Sequence, residues 1–449
     1  MYPRLGPRAR LSARTAVALI VATTTLFFYF AFFRLQTELS LGRPVAFDDS
    51  PSTPEEEPVQ RLERRPLIVF WDRYFRNRYA LFAPDNSSVA PACPYECDFS
   101  LDRNRGKEAD VRVFHQRGLD PDRLPPPQAD GRFVNVYFNL EPPYLSFSHA
   151  IPLAKRPMPL DFFNATATYR SSSEVFYPYD LFVPRDGSER AEDIWTEEQA
   201  SSPLPPSSLS LQIEEKLKGK RNVSLIAMSN CKSESKRHVY VDALAANIEV
   251  TRVGRCNGTI QCSKDSFGKV HRVDLACMKE LIDGHYFYLA FENSVCPEYV
   301  TEKFWRVKEL IVPVVLSRAA MPPHIPADTF IAASDFPTPA ALAAHLRWLI
   351  AHPAEYRKYF DWTKRYRRSS LSEAELNVSC QLCKLAHRQL ERRIPDYTRE
   401  WGARECVRDY ALDLVEDPAA ARWRVQSNER WMRAIMAHTY RSRALGRIV

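Results

Sequence analysis

The chain has 449 residues, of which 45% are apolar and 26% are charged. This is the composition of a globular protein, so it excludes a wholly disordered chain and a fibrous repeat, and the length predicts two or three domains. The formal net charge of +7 is small for this length and gives no indication of a nucleic-acid partner.

The first notable segment is an uncharged apolar stretch at residues 15–33. As a helix it is long enough to cross the apolar core of a bilayer. Four arginines and no acidic residue precede it, so the positive-inside bias places residues 1–14 in the cytosol and the rest of the chain in a lumen or outside the cell. A cleaved signal peptide is the alternative, although the stretch is long for one and no small-residue cleavage site follows it.

The next segments predict a stem and a first folded domain. Residues 34–65 are rich in Pro, Ser and Glu and lack an apolar period, which is typical of an unfolded stem. Short apolar runs at 67–71, 111–114 and 133–138 predict strands. A Pro/Ser-rich segment at 201–208 is the best domain boundary. We therefore expect domains over 66–205 and 206–375, followed by a C-terminal extension over 376–449.

Strands and helices alternate in the second domain, which predicts a parallel sheet with helices on both faces. The tail from Asn377 is rich in arginine and has a helical pattern, so we interpret it as a solvated or docking extension. The predicted strands cover 223–228, 248–253, 286–291 and 312–316, and the predicted helices cover 235–247, 298–310 and 338–350.

Cysteines and glycosylation sequons agree with a lumenal location. The chain has ten cysteines, and an even number in an oxidising compartment favours disulfides. A zinc site is the alternative for the C-x3-C and C-x2-C pairs, but no suitably spaced histidine pair accompanies them. Sequons give five candidate N-glycosylation sites. These are Asn86, Asn164, Asn222, Asn257 and Asn377.

The densest polar cluster follows the strand predicted to end at Phe291. In open α/β sheets, ligands bind at the carboxyl ends of strands, next to helix N-termini whose free N–H groups favour anions. The helix predicted at 298–310 has an apolar face and a polar stripe that suits the base, ribose and diphosphate of a nucleotide-sugar. A solvated face with an ordinary Glu302–Arg306 pair is the alternative. The apolar face carries Val300, Phe304, Val307 and Ile311, and the stripe carries Tyr299, Glu302, Lys303 and Arg306.

Two further motifs also follow predicted strands. The segment 229–237 is rich in small polar and cationic residues. It predicts a phosphate contact from Lys236 or Arg237, and the alternative is a basic surface turn. Glu141 stands in Asn-Leu-Glu-Pro-Pro after the strand at 133–138, where a lone carboxylate is normally solvated. We discard Asp120-Pro-Asp122 as a metal motif, because no strand directly precedes it.

Together these motifs resemble the inverting α1,3/4-fucosyltransferase family. The resemblance covers about residues 67–385 and is most specific around 286–303. It implies a GT-B fold, in which two Rossmann-like domains face a cleft, and a single-pass enzyme of the Golgi membrane with a lumenal catalytic domain. The motifs that carry it are Asn139-Leu-Glu-Pro-Pro143, Asn164-x5-Arg170 with Val175-x-Tyr-Pro-Tyr179, Ser229-Asn-Cys-x5-Arg237 and Tyr286-x2-Leu-x-Phe-Glu-Asn-Ser-x4-Tyr-Val-Thr-Glu-Lys303.

The resemblance also implies roles for individual residues. Glu141 would be the general base, and Arg237 and Lys303 would contact the diphosphate of the co-substrate GDP-fucose without an obligatory metal. The acceptor would be a GlcNAc of a glycoprotein N-glycan or of another glycan. The donor pocket would further include Ser229, Asn230, Asn293, Tyr299 and Glu302, with Tyr169 and Arg170 flanking the cleft.

For the cysteines, the resemblance implies that Cys93 and Cys97 join Cys380 and Cys383, with a further bridge from Cys231 toward Cys277 or Cys296. The chain departs from the family pattern at Gln116, Ser171, Ser172, Val307, Lys308, Ile311 and Ser317.

Several alternatives remain open at this stage. The acceptor sugar is either the innermost GlcNAc of N-glycans or a GlcNAc in an outer antenna. Two rival functions are a protein O-fucosyltransferase that acts on folded domains and a non-catalytic relative that binds glycans or partners.

Overall fold

The structure is a computed structural model. It describes residues 64–72, 93–125, 133–143, 158–184, 206–258, 260, 262–264, 272–273, 275–368, 371–388, 393–397, 401, 406–419 and 421. All of them belong to one compact unit, Val59–Val449. The predicted cytosolic tail, membrane anchor, most of the stem and Asn86 lie outside the described residues. Within those residues, no helix has the length and apolar character of a membrane span.

The first lobe, residues 64–180, is built on a six-stranded parallel sheet of order β2-β1-β3-β4-β5-β6. Every residue of β1, β3 and β4 is buried, which is typical of parallel strands covered on both faces and explains why they read as apolar runs. The strands are β1 (Leu67–Phe70), β2 (Asp98–Ser100), β3 (Val111–His115), β4 (Val134–Asn139), β5 (Ala165–Thr168) and β6 (Val175–Phe176).

The second lobe, residues 182–368, contains a five-stranded parallel sheet of order β14-β13-β12-β8-β9. Its elements are β7 (Phe182–Pro184), α1 (Pro206–Gly219), β8 (Asn222–Ala227), α2 (Arg237–Ala245), β9 (Val250–Val253), β10 (Ser263–Lys264), β11 (Arg272–Val273), α3 (Leu275–Gly284), β12 (His285–Leu289), β13 (Val312–Val315), β14 (Ile331–Ala332), α4 (Pro339–Ala351), α5 (Pro353–Lys358), α6 (Trp362–Arg365) and β15 (Tyr366–Arg368). Two small antiparallel pairs, β7 with β15 and β10 with β11, complete this lobe.

The first five strands of each sheet, counted along the chain, have the same spatial order, 2-1-3-4-5. In the first lobe β1 lies between β2 and β3, and in the second lobe β8 lies between β9 and β12. The strand order therefore reverses between β1 and β3 in the first lobe and between β8 and β12 in the second. Such a switch point opens a crevice at the carboxyl ends of the strands. The predicted parallel α/β, Rossmann-like class is confirmed.

The tail docks on both lobes. Helix α7 (Leu371–Arg388) buries Val378, Leu382 and Leu385 in the core beneath the first sheet. Helix α8 (Tyr410–Glu416) packs against α2, and Ala411 N–H donates to the Ser235 carbonyl at 2.9 Å. Of the two interpretations of the tail, the docking one fits these helices.

Disulfides reinforce this docking. Cys93 is bonded to Cys380 and Cys97 to Cys383, as the resemblance implies, so these four cysteines form no zinc site. A further disulfide joins Cys296 to Cys406.

The predicted bridge from Cys231 to Cys277 or Cys296 is wrong. Cys231 is bonded to Cys256, and Cys277 is bonded to Cys262. The reason is sheet order: β9 pairs directly with β8, so the segments after these strands are neighbours and the Cα atoms of Cys231 and Cys256 lie 5.2 Å apart.

The predicted helix at 298–310 is also wrong. Turns occupy the start of this segment, and a 3₁₀ helix follows at Phe304–Glu309. Glu298 and Leu310 have positive φ angles of 61°, a left-handed conformation that interrupts an α-helix at both ends. The apolar face is nevertheless correct, because its four side chains, Val300, Phe304, Val307 and Ile311, are all buried.

The departures from the family pattern in this segment fit the fold. Val307 and Ile311 lie in the core of the second lobe. The Lys308 ammonium lies 2.5 Å from the Asp180 carboxylate, and both side chains are largely buried. This ion pair joins the end of the first lobe to the 3₁₀ helix.

Replacing Lys308 by Met is expected to destabilise the protein by about 3–5 kcal/mol, because Asp180 would remain as a buried charge without this partner. The free energy of unfolding is measured by urea titration. The control is Lys364→Met, which breaks an exposed pair with Asp361 and should cost less than about 1 kcal/mol. Equal effects of the two substitutions would contradict the prediction.

Candidate active site

Three strand ends meet at the candidate site. Ser229 and Asn230 follow β8, and Glu292 and Asn293 follow β12, so they lie at the switch point of the second lobe. Glu141 follows β4 of the first lobe. Its carboxylate lies close enough to Lys303, Glu302 and Glu292 for their charges to affect its pKa. The structure therefore brings the predicted base and the predicted donor residues together.

Arg237 is fixed at the start of α2. Lys236 has a φ of 54°, and this left-handed residue turns the chain from the polar loop into the helix. The buried Arg237 guanidinium donates to the Phe291 carbonyl at 2.6 Å. Burial lowers the pKa of Arg237, and Glu292 opposes that shift. Arg237 Nε and Asn293 Oδ1 are buried atoms with no hydrogen-bond partner among the described residues, so they are available to a ligand.

Lys303 is held by three oxygen atoms. Its ammonium lies 2.7 Å from Thr301 Oγ1 and 3.0 Å from both the Glu292 and Glu302 carboxylates. Burial disfavours the charged form, but Glu292 and Glu302 outweigh it and raise the pKa of Lys303 above its usual value. Lys303 is therefore a permanent, largely buried cation.

Tyr299 lies between the lobes. The residue is 5% exposed, and its ring centroid lies 5.1 Å from that of Tyr169 and 6.3 Å from that of Tyr179. Burial raises the pKa of Tyr299 well above the usual value for a phenol. The predicted polar stripe is thus only partly solvated: Tyr299 packs on the first lobe, whereas Glu302 is exposed. Arg306 pairs with Glu309 at 2.6 Å.

The Glu141 side chain is only partly exposed, and the main chain of Glu141 is hydrogen-bonded to the side chain of Asn139. Its N–H donates to Asn139 Oδ1 at 3.0 Å, and Asn139 Nδ2 donates back to the Glu141 carbonyl at 3.1 Å. The Arg117 guanidinium lies 3.4 Å from the Glu141 carboxylate. Burial raises the pKa of Glu141, while Arg117 and Lys303 oppose that shift.

The remaining predicted residues border this cluster. Arg170 stacks on Trp401, with 4.2 Å between its guanidinium carbon and the ring centroid. Ser171 N–H donates to the Glu298 carboxylate at 2.8 Å, a hydrogen bond between the lobes. Ser229, Asn230 and Glu302 are exposed at the rim. Among the described residues, no group of three or more His, Cys, Asp or Glu side chains could hold a metal ion.

The sequence analysis missed four contributors. Glu292 and Thr301 lie inside the recognised motif, but only the fold shows their contacts. Arg117 and Glu298 are distant in sequence from their partners, Glu141 and Ser171, so no sequence signal identifies them.

The sequon asparagines differ in accessibility. Asn257 is exposed and Asn222 is partly buried, whereas Asn164 and Asn377 are buried. Glycosylation at each stays a prediction.

Two parallel α/β lobes, with a buried cation cluster at the switch point of one and a carboxylate from the other, define a nucleotide-sugar transferase. The sequence model for "Glycosyltransferase family 10 (fucosyltransferase) C-term" matches residues 217–401. The model for "Fucosyltransferase, N-terminal" matches residues 63–180. The chain therefore belongs to glycosyltransferase family 10, the fucosyltransferases.

Two human relatives agree with this assignment. The chain is 30% identical to human 3-galactosyl-N-acetylglucosaminide 4-alpha-L-fucosyltransferase FUT3, over 80% of this chain and 89% of the relative. It is 31% identical to human 4-galactosyl-N-acetylglucosaminide 3-alpha-L-fucosyltransferase FUT6, over 75% and 81%. A crystal structure of an alpha1,3-fucosyltransferase with GDP-fucose is similar at a TM-score of 0.41 and 15% identity, over 67% of this chain and 83% of that chain.

The Arg117–Glu141 pair predicts a specific pH dependence. Any step that needs an ionised Glu141 is lost as the pH falls through its pKa. Because Arg117 lowers that pKa, Arg117→Met should raise it and move the acid limb of the kcat/KM profile to higher pH. The control Arg365→Met, which removes an exposed partner of Asp328, should leave the limb in place. A limb that stays fixed or moves to lower pH in Arg117→Met would refute this role.

Proposed function

We propose that the protein transfers L-fucose from GDP-β-L-fucose to the 3-hydroxyl of a GlcNAc residue in glycoprotein glycans, with inversion at the anomeric carbon. The observation that carries this proposal is the pair of buried cations, Arg237 and Lys303, placed near a partly buried carboxylate, Glu141, from the other lobe. We propose further that the two lobes form a GT-B arrangement, with the donor on the second lobe and the acceptor on the first.

The donor side is built to receive a diphosphate. Negative charge grows on the departing GDP as the bond to fucose breaks, and fixed cations in a largely dry site stabilise that charge. Arg237 and Lys303 supply the cations. The Asn293 amide oxygen, unpartnered among the described residues, is an acceptor, so it suits a hydroxyl or N–H donor of the nucleotide rather than the diphosphate. Glu302 lies at the exposed rim, where its carboxylate suits ribose hydroxyls. The sequence analysis predicted that the N-terminus of a helix starting at Glu298 favours anions. That prediction is wrong, because no α-helix begins at this segment.

The acceptor side needs a base. The ionised Glu141 carboxylate takes the proton of the acceptor hydroxyl while that oxygen forms a bond to the anomeric carbon. The bond from this carbon to the diphosphate breaks on the opposite face, and GDP leaves with the electron pair. One displacement of this kind inverts the β-linked donor to an α-linked product. The raised pKa of Glu141 makes the carboxylate a stronger base.

Structural observations also bear on the rival functions. The departures that motivated a non-catalytic relative, Val307 and Ile311, lie in the core, whereas the predicted base and cations are present and close together. This supports an enzyme. The innermost GlcNAc, an antennal GlcNAc and a protein acceptor are distinguished by the acceptor array described below.

The location in the cell is likewise a proposal. We place the catalytic lobes in the Golgi lumen, attached to the membrane by the apolar stretch at 15–33. The five disulfides of the described residues support it, because disulfides persist in oxidising compartments.

Glu141→Gln is expected to reduce turnover by at least about 10²-fold, because the amide cannot accept the proton. Fucose transfer from labelled GDP-fucose is measured on an array of N-glycans, antennal glycans and folded protein domains, which also identifies the acceptor class. The control is Glu108→Gln, the same change at an exposed carboxylate. A near-normal rate in Glu141→Gln would remove this residue from the base role, and a wild-type protein inactive on all acceptors would favour the non-catalytic alternative.

Treatment with EDTA is expected to leave most of the transferase activity, because Arg237 and Lys303 stabilise the leaving diphosphate in place of a metal. The rate is compared before and after removal of divalent ions. Loss of activity that Mn²⁺ restores would show that a metal performs this step.

A further inference from the structure

Glu292 is a buried carboxylate, and neither the donor nor the acceptor step described above uses it. It lies directly after Phe291 at the end of the β12 segment, and its side chain is 11% exposed. A buried carboxylate is costly unless it is paired, so its contacts indicate what it does.

The first set of contacts fixes the turn that carries the donor residues. Glu292 Oε1 accepts from Thr301 N–H at 2.9 Å and from Thr301 Oγ1 at 2.7 Å. The turn at 298–303 is not part of an α-helix, so these side-chain bonds replace part of the support that a helical backbone would give. Lys303 is two residues further along this turn.

The second set of contacts reaches the cations. Glu292 Oε2 lies 3.0 Å from Lys303 Nζ, and the Glu292 charge also favours the charged form of Arg237. The Glu292 carbonyl accepts from Ser235 Oγ at 2.7 Å, two residues before Arg237. One residue therefore contacts both segments that carry the cations and supplies a buried negative charge near both.

We propose that Glu292 is a positioning residue of the donor site, which holds the Lys303 ammonium where the diphosphate of the nucleotide-sugar binds. This inference rests on the proposed function. Glu292 itself touches no substrate, and its effect passes through Lys303.

The test compares the dissociation constants of GDP and guanosine for the wild-type protein and for Glu292→Gln. Glutamine keeps an oxygen for Thr301 but loses the charge that holds Lys303. Because the ion pair that positions the Lys303 ammonium is lost, GDP affinity should fall at least about tenfold. Guanosine has no phosphate, so its affinity should change by less than about twofold. The KM for GDP-fucose should rise while the KM for the acceptor stays unchanged.

The chain offers a matched control. Glu174 accepts from Thr166 N–H at 2.9 Å and from Thr166 Oγ1 at 3.1 Å, which is the same arrangement away from the cation cluster. Glu174→Gln should leave the ratio of the GDP and guanosine constants unchanged. A merely structural role would make Glu292→Gln behave in the same way, and that result would overturn the inference.

A double-mutant cycle tests whether the effect passes through Lys303. In a Lys303→Met background, Glu292→Gln should not change the GDP to guanosine ratio further, whereas an additional tenfold loss would overturn the inference. If Glu292→Gln does not fold, Thr301→Val is used instead, because it removes the hydroxyl that Glu292 binds in the same turn. This variant must lower the affinity for GDP and leave the affinity for guanosine unchanged. An equal loss of affinity for both ligands would overturn the inference. A wild-type protein that binds GDP no better than guanosine would instead reject the proposed function.

Discussion

The proposed donor site depends on one buried carboxylate, Glu292, whose charge acts on two cations. Arg237 and Lys303 carry like charges at the end of one sheet, and like charges on largely buried groups repel. Glu292 lies 3.0 Å from Lys303 and favours the charged forms of both cations. With this counter-charge the cluster is stable without a ligand, and under the proposed function the cations are in place before the diphosphate binds. Such preorganisation costs no rearrangement during the reaction.

The proposed pairing of Glu141 with the cations also requires that the two lobes keep a fixed spacing. Tyr299 packs on Tyr169, Ser171 bonds to Glu298, and Lys308 pairs with Asp180. Helix α7 comes after the second lobe in sequence but completes the core of the first lobe, and two disulfides fix it there. The chain thus crosses between the lobes more than once. These contacts keep Glu141 near Lys303, and neither lobe alone contains the whole site.

The sequence analysis succeeded where local pattern decides structure. Apolar runs such as 67–71 and 312–316 became buried parallel strands because both faces of the sheets are covered. It failed at 298–310, where the spacing of apolar residues suggests an α-helix. That spacing correctly identified the buried side chains, but the Thr301 backbone is bound by Glu292 and Glu298 takes a left-handed conformation. Tertiary contacts therefore override the helical pattern there, as they do for the partner of Cys231.

By itself, the sequence determined the parallel α/β class, the strands whose ends carry the polar motifs, and the identities of Glu141, Arg237 and Lys303 as candidate site residues. The class and the strands follow from side-chain type and spacing, which are local properties. The three site residues follow from the resemblance of their motifs to a known family. Only the tertiary structure decided that Glu292 pairs with Lys303, that Arg117 reaches Glu141, that Tyr299 is buried between the lobes and that Cys231 pairs with Cys256. Each of these depends on which strands are neighbours and how the lobes pack, and a linear pattern does not encode those distances.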